Sequence, residues 1–151
     1  MYDNFITFIW SNSVTNSLLF LVIFVLNWVV PVINALCDVY HPCQALADFV
    51  TLTEQFTDLS KVKLAYVGDG NNVSNSLMLM AATLGVDFTL VTPVGYEAQS
   101  SIIEKSETLA AASGASLIIT SDINAIGKQD VIYTDTWISM GDEDTNKKAE
   151  I

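Results

Sequence analysis

His41 and Gln44 are the residues whose types and spacing most directly suggest chemistry in this chain. They belong to a His-Pro-Cys-Gln run, in which Pro42 suits the first position of a helix that His41 caps. Side chains three positions apart on a helix share one face, and a helix start favours an anionic or carbonyl-bearing ligand. The run predicts a small polar binding point, although taken alone it also fits a purely structural helix cap.

A second candidate is the run Gly68-Asp69-Gly70-Asn71-Asn72, which follows an apolar stretch. The glycines predict a tight turn with a close backbone approach, and Asn71 or Asn72 is expected to cap the next helix. The run does not complete the Gly-x-Gly-x-x-Gly fingerprint, because Val73 stands at the third glycine position. A dinucleotide cofactor is therefore not indicated.

The third candidate is Asp135, followed by Ser139 and Met140 in the run Asp-Thr-Trp-Ile-Ser-Met-Gly. Asp135 ends the last predicted strand, and open parallel sheets bind ligands at the carboxyl ends of their strands. A carboxylate at that edge can pair with an ammonium group. Ser139 and Met140 are expected on the loop that follows.

The elements that position these residues alternate between strand and helix along the chain. Short apolar runs predict strands at residues 62–67, 88–91, 116–120 and 131–134, and a further buried parallel strand at 29–34. Helical periodicity predicts helices at residues 42–56, 72–84 and 98–113, with a short one after Asp122. This alternation predicts an α/β fold with an open, mostly parallel sheet and helices on both faces.

The composition excludes several function classes. The net charge is −11, and all six basic residues are lysines. Nucleic-acid binding draws its affinity from basic side chains on phosphates, so no nucleic-acid partner is expected. The absence of arginine also removes the planar fork that best clamps a phosphate group.

Residues 1–30 are strongly apolar and read differently from the rest. The densest run, 18–33, is interrupted by Asn27 and Pro31 and is shorter than the roughly 20 residues of a membrane span. A membrane-associated helix is less favoured than a buried segment or an unrelated N-terminus. Neither a secretory signal nor a mitochondrial presequence is indicated, since basic residues are absent there. Cys37 and Cys43 form no disulfide or zinc pattern, which favours reduced thiols and a cytoplasmic location.

From about Pro31 onward the chain resembles the ornithine carbamoyltransferases, on the strength of its His-Pro-Cys-Gln, Gly-Asp-Gly-Asn-Asn and Asp-Thr-Trp-Ile-Ser-Met-Gly runs. The resemblance implies that His41 donates a hydrogen bond to the carbamoyl oxygen of carbamoyl phosphate and that Gln44 contacts its amide. It implies ornithine contacts for the remaining candidates: Asn72 at the amino-acid end, Asp135 at the α-amino group, and Ser139 with Met140 along the rest of the molecule. Aspartate carbamoyltransferases share His-Pro-x-Gln but lack the Ser-Met-Gly signature.

The resemblance also divides the chain. Residues 31–57 correspond to a strand and the interdomain helix, a remnant of the carbamoyl-phosphate domain, and 58–151 to a C-terminally truncated ornithine-binding domain. Residues 1–30 are expected to lie outside the match. The family's Ser-Thr-Arg-Thr-Arg and His-Cys-Leu-Pro motifs have no counterpart, so the isolated chain is expected to be inactive. Family membership implies a homotrimer and no metal or organic cofactor.

The expected reaction gives citrulline and phosphate by attack of the ornithine δ-amine on the carbamoyl carbon. A non-catalytic amino-acid-binding protein, or a membrane-tethered paralogue, remains the alternative, because arginine is absent and the N-terminus is apolar.

Overall fold

The structure is a computed structural model, and it describes residues 33–136. The chain divides into two units, Met1–Ile33 and Asn34–Ile151. The described residues fall almost entirely within the second unit. Ser139, Met140 and the whole apolar N-terminal segment, residues 1–30, lie outside the described residues.

Four parallel strands form the sheet. They are β1 (Lys63–Val67), β2 (Asp87–Val91), β3 (Leu117–Thr120) and β4 (Val131–Thr134), in the spatial order β3-β2-β1-β4. The α/β class and the open parallel sheet are therefore confirmed. The bounds of β4 coincide with the sequence prediction, and those of the other three differ from it by one residue at the start.

Three helices accompany the sheet: α1 (Pro42–Gln55), α2 (Asn72–Leu84) and α3 (Ser100–Ser113). Short 3-10 turns occupy Leu59–Lys61 and Ile123–Ile126. Helices α2 and α3 end at glycines in the left-handed region, with φ of 77° at Gly85 and 85° at Gly114. A residue without a Cβ adopts this conformation without strain, so these two positions stop the helices sharply.

The hydrophobic core lies on one face of the sheet. Residues paired between parallel strands point to the same side, and the inward row includes Leu64, Tyr66, Phe88 and Leu90, all at most 1 % exposed. All three helices contribute to the same core cluster, with Phe49 from α1, Leu77 from α2 and Ile102 from α3. The helices pack together on this face because the run β1-α2-β2-α3-β3 crosses the sheet in one direction with one handedness.

The opposite face of the sheet is covered differently within residues 33–136. Among the described residues it is covered by the 3-10 turn Ile123–Ile126 and the segment after it, whose Gln129 side chain reaches Thr89. Ile118 and Ile132 on this face are 47 % and 66 % exposed.

The predicted strand at 29–34 is not seen where the structure can test it. Ile33 and Asn34 have no regular secondary structure, and Ile33 is 79 % exposed. A β-branched run forms a strand only where a neighbouring strand pairs with it, and none does so here. Residues 29–32 lie outside the described part. Within residues 33–136, no helix is both long and apolar enough to cross a membrane.

Candidate functional site

The candidate site lies where the chain leaves β1 and β4. From β1 the chain runs through α2 to β2 on one side, whereas β4 lies on the other side of β1. Loops diverge at such a switch point, and the crevice outside the carboxyl ends of the strands is where open α/β sheets bind ligands. Val67 pairs with Thr134, so the Gly68–Asn72 turn and Asp135 leave the sheet at the same level.

The turn after β1 is held tightly by the loop that follows β2. The Gly70 N–H donates to the Tyr96 carbonyl at 2.7 Å. A Cβ at Gly70 would lie 2.5 Å from the Glu97 carbonyl carbon and closer still to the Ala98 nitrogen. The close backbone approach expected from the glycines is therefore present at Gly70.

Asn71 is the residue that caps α2. Its side-chain oxygen accepts hydrogen bonds from the N–H groups of Val73 and Ser74, both at 2.9 Å. Its amide donates to the Asp69 carboxylate at 3.0 Å. Asn72 is the first residue of the helix, and its side chain does not cap it.

His41 joins the start of α1 to the first turns of α2. Its backbone N–H donates to the Ser76 hydroxyl at 2.8 Å and to the Asn72 carbonyl at 3.2 Å. The residue precedes Pro42 at the start of α1 but makes no side-chain capping hydrogen bond. The half-buried imidazole has a buried Nδ1 without a hydrogen-bond partner. The side chain is therefore free of the helix cap that sequence analysis gave as its structural role.

The Asn72 side chain is half-buried and faces the segment before α1. Its Nδ2 donates to the Cys37 carbonyl at 2.9 Å. The neighbouring Asn75 makes the equivalent contact to Val39 at 3.1 Å. These two amides fasten the stretch that leads to His41 onto α2.

Gln44 lies one turn into α1 and donates from Nε2 to Asp48 Oδ1 at 2.9 Å. Both side chains are half-buried, and the second carboxylate oxygen of Asp48 is buried without a hydrogen-bond partner. The Tyr133 hydroxyl lies beside this pair. Burial, with the Asp48 carboxylate as the next cause, raises the pKa of Tyr133 to about 12.

Asp135 lies against two stacked tyrosines. The rings of Tyr66 and Tyr133, on neighbouring strands, have centroids 5.8 Å apart. Burial raises the pKa of Tyr66, with the negative charges of Asp69 and Asp135 adding to the effect, and Asp135 also contributes at Tyr133. Asp135 is half-buried and accepts the Thr136 N–H at 2.7 Å. The negative charge of Asp135 therefore acts on both tyrosines.

The structure connects four of the six predicted site residues. His41 bonds directly to Asn72, and Tyr133 lies next to both Gln44 and Asp135. Ser139 and Met140 fall outside the described residues. Sequence analysis did not single out Asp48, Ser76 or Tyr133. Asp48 could have been found from its i,i+4 spacing to Gln44 on a helix, which predicts a side-chain pair.

Two hollows lie in the described part of the chain, and the second borders the His41–Ser76 contact. One, of about 240 Å³, is at the amino ends of β1 and β2 and is lined in part by Lys63 and Asp87. The other is an apolar groove of about 310 Å³ between α1 and α2, lined in part by Pro42, Ser76 and Met80. Among residues 33–136, no group of three or more His, Cys, Asp or Glu side chains could hold a metal ion.

Two family profiles match the chain. Residues 60–151 match the aspartate/ornithine carbamoyltransferase Asp/Orn-binding domain. Residues 20–54 match the carbamoyl-P-binding domain of the same enzymes. The second match begins at residue 20, within the apolar N-terminal segment.

Among curated relatives, the ornithine carbamoyltransferase of Shewanella oneidensis is 59 % identical over 113 residues, covering 75 % of this chain and 38 % of the relative. The catabolic ornithine carbamoyltransferase of Thermoplasma volcanium is 52 % identical over 122 residues, covering 80 % and 40 %. The chain thus spans about two-fifths of the length of these relatives.

Solved structures give the same answer. The ornithine carbamoyltransferase from Pyrococcus furiosus matches with a TM-score of 0.75 and 47 % identity, covering 82 % of this chain and 40 % of that one. The anabolic enzyme from Campylobacter jejuni matches with a TM-score of 0.76 and 37 % identity, covering 85 % and 43 %. Profile, sequence and fold agree, and the chain belongs to the ornithine carbamoyltransferase family as a partial chain relative to its full-length homologues.

Proposed function

We propose that this chain carries the ornithine-binding half, and the adjoining carbamoyl-contacting helix, of an ornithine carbamoyltransferase. The substrates are carbamoyl phosphate and L-ornithine, and the products are L-citrulline and phosphate. Support comes from the two family domains that match the chain, which bind carbamoyl phosphate and aspartate or ornithine.

The observation that carries the proposal is the contact between His41 and Asn72. The His41 N–H bonds the first residue of α2, so the His-Pro-Cys-Gln run meets the Asn-Asn run at the switch point of the sheet. This backbone contact supports the proposal that a donor for the carbamoyl group and a polar group for the amino acid serve one site. Such convergence of reacting partners is what a transferase needs, since orientation supplies much of its rate.

In the proposed reaction, the neutral δ-amine of ornithine forms the new C–N bond at the carbamoyl carbon. The C–O bond to phosphate breaks, phosphate leaves with the electron pair, and the proton that the attacking nitrogen loses passes to the departing phosphate. His41 donates a hydrogen bond to the carbamoyl oxygen as charge grows there. Gln44 holds the carbamoyl –NH₂.

The amino acid is held by the other four residues. Asp135, a carboxylate at the strand edge, pairs with the α-ammonium group of ornithine. Asn72 contacts the amino-acid end, and Ser139 with Met140 complete the contacts. Lysine is the only basic residue type in the sequence, so the 151 residues contain no guanidinium for the phosphate of carbamoyl phosphate. We therefore propose that the chain alone binds ornithine but does not turn over.

A cytoplasmic location and assembly as a homotrimer complete the proposal. The location is supported by the two free cysteines, Cys37 and Cys43, which suit a reducing compartment. The trimer rests on family membership alone.

Calorimetry with L-ornithine and L-aspartate tests the proposal on the 151-residue chain. We expect heat of binding with ornithine and none with aspartate, and loss of the ornithine signal in Asp135→Ala. Glu107→Ala, which removes an exposed carboxylate from α3, is the matched control and should bind as the parent does. Ornithine binding that survives Asp135→Ala would contradict the assignment.

A citrulline assay on the same chain separates the two candidate functions. No citrulline from the chain, together with ornithine binding, fits both the half-site and the non-catalytic amino-acid-binding protein. Adding the missing family motifs by fusion to the corresponding part of a full-length relative decides between them: recovered citrulline formation supports the enzyme, and its absence supports the binding protein.

A further inference from the structure

We propose that Asp48 is a positioning residue, which fixes the Gln44 amide so that its carbonyl oxygen is presented to a ligand that carries an N–H donor. The inference rests on the proposed function for the identity of that ligand, the carbamoyl –NH₂. It adds two residues, Asp48 and Tyr133, that the sequence motifs do not assign.

The chemistry of the pair dictates the orientation of Gln44. An ionised carboxylate can only accept hydrogen bonds, so the atom of Gln44 that meets Asp48 Oδ1 at 2.9 Å is the donor Nε2. The other end of the amide is then the acceptor Oε1. Within the described residues Oε1 makes no hydrogen bond and is not buried. An acceptor is therefore left available at the start of α1, on the helix face that also carries His41.

Asp48 lies near strand β4 as well as on α1, since its charge acts on Tyr133. The carboxylate lies one turn beyond Gln44 on α1, and its Oδ2 is buried without a hydrogen-bond partner. Tyr133 of β4 presents its hydroxyl to both Asp48 and Gln44, and the negative charge of Asp48 contributes to its raised pKa. Asp135 is the other charged group that acts on Tyr133. The orientation of Gln44 is thus set by its bond to Asp48, and Tyr133 of the distant strand β4 lies near the pair.

This arrangement selects between ligands of similar shape. A carbamoyl group offers –NH₂ to the Gln44 carbonyl, whereas an acetyl group offers only a methyl group and a carboxylate offers a repelling oxygen. One hydrogen bond lost in a desolvated site weakens binding by about tenfold. Without Asp48, the amide can rotate and offer either end, so the preference should fall.

The Gln44 side-chain amide resonances test the orientation directly in the 151-residue chain. We expect one Nε2 proton of Gln44 to be shifted downfield and slowed in exchange by its bond to Asp48. Asp48→Asn should remove both signatures and lower the pKa of Tyr133, read from its ring resonances. Asp48→Glu keeps an acceptor-only group and should retain them in part. Glu54→Gln removes an exposed carboxylate from the same helix and should change nothing.

A purely structural Asp48 would give a different pattern. If Asp48→Asn folds and leaves the Gln44 amide protons and the Tyr133 titration as they are in the parent chain, the proposal is overturned. If Asp48→Asn does not fold, the parent chain is compared with Asp48→Glu instead. A Gln44 amide whose protons are neither shifted nor slowed in exchange in the parent chain also overturns the proposal.

The selectivity is measured by titrating carbamoyl phosphate and acetyl phosphate separately. We expect the parent chain to prefer carbamoyl phosphate by about tenfold and Asp48→Asn to lose most of that preference. Equal affinity of the parent for both would overturn the selectivity. Binding of neither fits the lack of a guanidinium for the phosphate, and the amide resonances then decide the role of Asp48 by themselves.

Discussion

The backbone N–H of His41 donates to the hydroxyl of Ser76 at 2.8 Å, although the two residues belong to different helices. Ser76 also donates to the Asn72 carbonyl at 2.9 Å, and that carbonyl accepts a second bond from His41. One buried serine therefore ties the start of the helix that carries His41 and Gln44 to the helix that begins with Asn72.

Ser76→Ala should loosen this junction. The His41 N–H loses its shorter hydrogen bond in a partly buried place, which costs about 1 kcal/mol of the free energy of unfolding. Urea denaturation measures the loss, and the His41 amide should become faster in hydrogen exchange. Thr83→Ala is the control, because Thr83 makes the same kind of bond to its own helix, at an exposed position. If both changes lower the free energy of unfolding equally, the bond between Ser76 and His41 adds nothing to stability.

Asn71→Ala should destabilise the start of α2. The asparagine oxygen accepts two N–H groups that otherwise have no partner in the helix, and losing such a cap costs about 1 kcal/mol. Thermal or urea unfolding measures the change. Asn71→Ser keeps a capping oxygen and should recover most of the stability. A serine variant no better than the alanine variant would argue against capping as the cause.

Gly70→Ala should be more harmful than its size suggests. The added methyl group would overlap the backbone at Glu97 and Ala98, which cannot move without shifting the loop after β2. Overpacking of this kind costs about 2 kcal/mol. Gly114→Asn is the control, because that position has open space and asparagine tolerates a positive φ. If Gly70→Ala unfolds at the same urea concentration as the parent, the close approach is absent in solution.

The tyrosine pair should make stability fall at high pH. The pKa of Tyr133 is raised from an ordinary value of about 10 to about 12, and that of Tyr66 is raised as well. Between these values the folded state binds more protons than the unfolded state. The contribution of the tyrosine protons to the free energy of unfolding is therefore complete below pH 10 and is lost as the pH rises through 12. Tyr133→Phe should make this decline shallower. If the free energy of unfolding of Tyr133→Phe falls with pH as steeply as that of the parent, the raised pKa of Tyr133 is contradicted.

The sequence predicts most of the local structure because the signals are local. Helix α2 begins beside an asparagine and ends at Gly85, and β4 is an apolar run between two aspartates. The sheet order and the gathering of the helices on one face depend on contacts across the whole sheet, which no local pattern contains. Residues 33 and 34, the end of the predicted strand at 29–34, are not in a strand. Pairing with a neighbouring strand decides whether such a run becomes one, and pairing is a long-range contact.

The site shows the same division between local and long-range information. His41, Gln44, Asn72 and Asp135 could be selected from short motifs. The link between Gln44 and Asp135 could not, because it passes through Tyr133, whose position is set by its stacking on Tyr66. A tyrosine on a strand is ordinarily part of the core, and only its neighbours in space indicate another role.

The most direct test of the account is a titration of the ¹⁵N-labelled chain with L-ornithine, followed by amide resonances. We predict shifts at Asn72 and Asp135, at the carboxyl ends of β1 and β4, with a smaller shift at His41 and none at Gly127 near the opposite edge of the sheet. Shifts confined to that opposite edge, or a spectrum that ornithine leaves unchanged, would contradict the claim that the switch point between β1 and β4 is the amino-acid site.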